Sequence, residues 1–158
     1  MTGRPLDRAR EIFFAYEGSR FYMSRDGVDS EYQRFSVPRE LEKQWLDELT
    51  VIQLDMLESP GNWRVVNFLK NHDDVRHLSR LVHTTPLGAF WERCAYLELL
   101  VLYIKRCSLT DAADETQRAR QYVIDQGRIL EHVAPDERSR QRACAVIDAA
   151  KDLRSCNG

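Results

Sequence analysis

The chain has 158 residues, 43% of them hydrophobic and 30% charged, which gives room for a buried core and excludes a disordered polyelectrolyte. A formal net charge of −2 supplies no global field that would draw it onto nucleic acid or an anionic membrane. "MTGRPLDRAR" lacks the apolar stretch of a secretory signal, and Cys94, Cys107, Cys144 and Cys156 form no CxxC pair, so a cytoplasmic protein with free thiols is the expectation.

Leu6, Ala9, Ile12, Phe13 and Tyr16 recur at helical spacing behind Pro5, and Gly18 supplies a stop. The next segment, "RFYMSRDGVDSEYQRF" from Arg20 to Phe35, reads as a β-hairpin. Asp26-Gly27 suits a two-residue type I′ turn, and strict alternation then sorts the flanking side chains onto two faces. Phe21, Met23, Val28 and Tyr32 fall on the inner face, while Arg20, Tyr22 and Glu31 point outward, where arginine and tyrosine are favoured binding anchors.

A helix is expected from Pro38, with Glu40 and Glu42 in a first turn whose dipole favours carboxylates. Its inward positions are Leu41, Trp45, Leu49, Ile52 and Met56, and "SPGN" at 59–62 breaks it. A short helix follows over Trp63 to Lys70. Asn71 with Asp74 offers a capping box for the next, which ends by Val82. Thr85 and Pro86 then open a helix from Leu87 to Arg106, apolar nearly all round between Cys94 and Ile104 and therefore central. Ser108 or Thr110 caps the next, with Ala119, Tyr122, Val123, Ile129, Leu130 and Val133 inward. Pro135, Asp136 and Glu137 open the last, with Ala143, Val146, Ile147, Ala150 and Leu153 inward.

Three patterns carry candidate chemistry. "NHDDVRH" at 71–77 has metal-ligating residue types, but His72 and His77 lie about 140° apart around a helix and cannot converge from one face, so no metal is expected. Glu98 interrupts the apolar run "CAYLELLVLYI"; a carboxylate buried there raises its pKa or finds a cationic partner, and either role fits that position. On the helix after Pro38, Glu40, Asp47, Glu48, Asp55 and Glu58 share an arc of about 100°, a solvated face or a docking stripe for a basic partner. No nucleophile–base signature is present.

The sequence thus predicts a mainly α, single-domain bundle (1–158) of five to seven helices with one N-terminal β-hairpin at about 20–35. It favours a cytoplasmic non-catalytic binding or regulatory protein acting on another protein or a small ligand through Arg20, Tyr22, Glu31, Glu48 and Asp55. No cofactor, nucleic acid or membrane is implied. The alternative is an enzyme with Glu98 as a buried acid/base in a helical pocket.

Overall fold

The computed structural model describes residues 3–107 and 113–153, and all their regular structure is helical: nine α-helices where five to seven were expected, one 3-10 turn and no strand among the described residues. The chain divides into two compact units, Met1–Asp55 and Met56–Gly158.

In the first unit, α1 (Gly3–Ala15) buries Ala9, Ile12 and Phe13, as its spacing dictates. It closes where Gly18 N–H donates to Phe13 O at 2.8 Å and Glu17 N–H to Phe14 O at 3.2 Å. The segment read as a hairpin is instead two six-residue helices, α2 (Arg20–Arg25) and α3 (Asp29–Arg34). Local chemistry explains the correction. The Ser19 hydroxyl accepts from Tyr22 N–H and opens α2. Gly27, at φ +80°, closes it: Val28 N–H reaches Met23 O at 2.9 Å and Gly27 N–H reaches Ser24 O at 3.2 Å. That is a Schellman ending, which requires the same positive φ as a type I′ turn, so Asp-Gly satisfied either reading.

Helices this short are marginal alone, and packing holds them. Met23 and Tyr32 are buried, and the Tyr32 ring lies 6.3 Å from Phe13. Helical rather than alternating geometry also moves Phe21: expected inside, it is 73% exposed. α4 (Arg39–Asp55) starts behind Pro38, whose carbonyl accepts from Leu41 and Glu42 N–H, with Glu40 and Glu42 in its first turn. Trp45, Leu49, Thr50, Gln53 and Leu54 are buried, and Trp45 sits 5.5 Å from Phe13. Ile52, expected inward, is exposed, because the packed face turns toward Leu49 and Gln53; Met56, also expected inward, lies past the end of the helix and is exposed.

The second unit is built on α7 (Phe90–Cys107), which packs against α5 (Trp63–Asn71), α6 (Leu78–Val82), α8 (Ala113–Val133) and α9 (Glu137–Asp152). Its run from Cys94 to Ile104 supplies Cys94, Tyr96, Leu97, Leu100, Val101, Tyr103 and Ile104 to the core. α8 and α9 approach closely at Gly127, where a Cβ would stand 2.7 Å from Ile147 Cγ1. α9 begins as its sequence indicates, with the Asp136 carboxylate accepting from Ser139 N–H at 2.7 Å.

Several boundaries differ from the sequence reading. Asn71 closes α5, and Asp74 caps the 3-10 turn Val75–His77 instead. α7 begins at Phe90 rather than Leu87, because the buried Asn62 amide ties the preceding loop down: its Oδ1 accepts from Leu87 N–H at 3.0 Å. Ile129 and Val133 are exposed, and α8 buries Ala119, Val123, Ile124 and Leu130. The cap candidates Ser108 and Thr110, and Cys156, lie outside the described residues. Among those described, no helix is long and apolar enough to cross a membrane.

Candidate binding surface

The carboxylates of α4 form a charged face in the first unit. Glu40, Asp47, Glu48 and Asp55 are all exposed and share an arc of about 100° opposite the buried side of the helix. Two aliphatic side chains stand in and beside that arc. Val51 is 60% exposed and Ile52 48%. Single exposed apolar residues need no explanation, but two branched ones one turn from both Glu48 and Asp55 make a mixed apolar and acidic strip. α1 borders it: Arg10 donates to Glu48 at 2.5 Å while its guanidinium lies 4.0 Å above the Phe14 ring. No ion pair reaches Asp47 or Asp55 among the described residues.

The other predicted binding residues lie on α2 and α3. Arg20 donates to Asp29 at 2.6 Å and spans the Tyr32 ring at 5.2 Å, and this hydrogen bond pulls the Asp29 carboxyl below its ordinary pKa. Tyr22 is exposed as expected, edge-on to Phe21 at 5.3 Å, with Arg25 4.8 Å above its ring. Glu31 accepts from Arg8 at 2.9 Å. Thus α1 uses Arg8 toward α3 and Arg10 toward α4, and Glu31 and Glu48 are each partly neutralised. All five predicted binding residues belong to the first unit, but they form two groups on different helices.

Glu98 belongs to the second unit and is not the buried carboxylate that its apolar neighbours suggested. Its side chain is 42% exposed and grips Arg142 of α9 through both oxygens, the shortest contact being 2.5 Å. This pairing raises the Arg142 pKa. Arg142, Arg138, Ser139 and Gln141 line an open depression there. Arg142 could not be assigned from sequence, since nothing local links positions 44 residues apart.

"NHDDVRH" resolves into structural roles. Asp74 accepts from Arg76 Nε at 2.8 Å and faces His77 Nε2 at 3.2 Å; Arg76 foremost, with His77, draws its carboxyl down to about 2. Tyr103 donates to Asp74 O at 2.5 Å and accepts from His77 N–H at 3.1 Å. No group of three metal-ligating side chains comes together among the described residues. The thiols of Cys94 and Cys107 are buried, which pushes the Cys107 pKa up to about 11 and away from thiolate chemistry.

Two exposed apolar side chains escaped the sequence reading. Val51 was findable, because at about 100° per residue it falls inside the acidic arc. The exposure of Phe21 was not, since it depended on the wrong period. Comparison with protein-family models, with curated proteins and with solved structures gave no significant match.

Proposed function

We propose that the chain is a non-catalytic binding protein whose first unit docks a basic, amphipathic segment of a partner protein on the outer face of α4. The observation that carries this reading is the exposure of Val51 and Ile52 among Glu40, Asp47, Glu48 and Asp55. A partner helix with apolar residues one turn apart would cover the aliphatic pair, and flanking lysines or arginines would meet Asp47 and Asp55. Apolar contact supplies most of the affinity in such an interface, and charge sets the orientation and the encounter rate. The chain's net charge stays near neutral, so attraction would be confined to this face and screened by salt.

The test is a photo-crosslinking amino acid at Val51 or Ile52, used in the native host, with a control at the exposed Gln121 of α8. The same covalent adduct should form from Val51 and Ile52 and not from Gln121. Reversal of Glu48 and Asp55 to Lys should remove that adduct while the helical circular dichroism stays unchanged, because exposed charges contribute little to folding. An adduct that survives the double reversal rejects the docking face.

A further inference from the structure

We propose that Trp63 and Trp91, in the second unit, form a site for a trimethylammonium group, the head of choline or of a trimethylated lysine side chain. This rests on different residues from the docking face and stands independently of it.

The framework is cross-linked by hydrogen bonds. Trp63 opens α5 and Trp91 lies in the first turn of α7. The loops that precede these helices are joined through Asn62, whose buried amide donates to Leu57 O at 2.8 Å and to Thr85 O at 2.9 Å. Gly61 N–H adds a bond to Leu87 O at 2.9 Å. The indoles stand side by side, centroids 6.0 Å apart and planes tilted by 55°, and Trp91 is 52% exposed. Two large aromatic rings, one exposed and one half-buried, therefore meet at an angle on loops that hydrogen bonds tie together.

The electrostatics select a cation. Glu92 accepts from Trp63 Nε1 at 3.2 Å through one oxygen and from Ala89 N–H at 3.2 Å through the other. Glycines at 61 and 88 make room for this carboxylate, since a Cβ at either position would stand 2.9 Å from one of its oxygens. A fixed anion at the indole N–H pushes electron density into the ring, and the ring's negative face is what attracts cations. The protein already places one there. The Arg64 guanidinium lies 5.6 Å from the Trp63 centroid, near the outer limit of about 6 Å for such contacts. Arg64 is exposed and can swing into water.

The chemistry also narrows which cation. Each Glu92 oxygen already accepts one donor from the protein, so the corner offers ring faces, a negative charge and only the remaining acceptor sites of one carboxylate. A primary ammonium would have to exchange the water bonds of three donors for the acceptor sites left on a single carboxylate. A trimethylammonium carries no donor, sheds water cheaply and presents methyl groups to both rings.

The probes are choline and a peptide bearing trimethyllysine, followed through the indole N–H resonances, with the uncharged tert-butyl isostere of choline as control. Saturable shifts should appear at Trp63 and Trp91 and not at the buried Trp45 of the first unit. Trp91→Ala, at an exposed position that does not threaten folding, should weaken binding at least about fivefold. Arg64→Ala should tighten it, by removing the resident cation. Response to the peptide alone identifies a protein side chain as the source, and response to choline alone identifies a free headgroup; both support the site. The proposal fails if neither probe binds below about 10 mM, if the uncharged isostere binds equally well, or if Trp91→Ala changes nothing.

Discussion

The two units reach stability by different routes. The second has helices of 18, 21 and 16 residues that meet over a long apolar core. Its buried Tyr96 and Tyr103 and its half-buried Tyr122 each donate a hydroxyl to a backbone carbonyl between residues 74 and 84: Tyr96 to Leu81, Tyr103 to Asp74 and Tyr122 to Thr84. The first contains two six-residue helices, a small aromatic core of Phe13, Tyr32 and Trp45, and a rim of exposed arginine–carboxylate pairs. Such exposed pairs contribute between nothing and about 1 kcal/mol each. The comparison teaches that charged rims orient short helices without adding much stability. Both units leave large apolar side chains in solvent, Phe21, Val51 and Ile52 in the first and Trp91, Leu102, Ile129 and Val133 in the second, but only in the first do they stand within an arc of carboxylates on one helix, as Val51 and Ile52 do.

The largest effect that would sharpen this contrast is in the core of α7. Leu97→Ala, at a fully buried position, should cost about 2–5 kcal/mol in urea denaturation. Ile52→Ala on α4 should cost well under about 1 kcal/mol, since its side chain is half in water. Equal losses from the two changes would break the distinction between a stabilising core and an exposed helix face.

Within the first unit, Met23→Ala should cost about 2–4 kcal/mol, while Phe21→Ala stays within about 0.5 kcal/mol. The pair separates helical from alternating geometry in α2. In a hairpin both side chains share the buried face and both truncations hurt. Thermal or urea unfolding of the two variants decides it.

The smallest effect distinguishes a partly buried ion pair from the exposed ones. The Asp74 carboxyl is held down to about 2, chiefly by Arg76, so its contribution is full above its ordinary value of 3.8 and disappears as pH falls through about 2. The Arg76 side chain is largely exposed, so screening limits this to on the order of 1 kcal/mol. Asp74→Asn should therefore be less stable than the parent at neutral pH, and the gap should close between about pH 4 and pH 2. A gap that stays constant through this range would assign the loss to the cap geometry rather than to charge.

Much of the second unit was legible because its segments are long and their ends carry chemistry. The run from Cys94 to Ile104 had to be buried, "SPGN" had to interrupt, and Asp136 had to cap. The acidic arc of α4 was likewise readable from spacing alone. The candidate surface was only half readable. Asp55 and Glu48 were placed on it, yet Ile52 was put on the opposite side and Arg10 was not connected to Glu48. Glu98 shows the same limit: its apolar neighbours in sequence implied burial, and its partner came from another helix.

What the sequence by itself determined is therefore local: a mostly helical chain, breaks at Gly and Pro, carboxylates at helix starts, and one central apolar helix. Each follows from interactions within a few residues, which any surrounding structure must respect. Tertiary structure decided what those interactions leave degenerate. Six residues carry too few positions to distinguish a period of 2 from one of 3.6, so packing of Met23 and Tyr32 beside Phe13 settled the form of α2 and α3. The side of α4 that faces water was set by where α1 lies, because a helix with apolar residues on a wide arc can bury more than one face, and only its neighbours choose which.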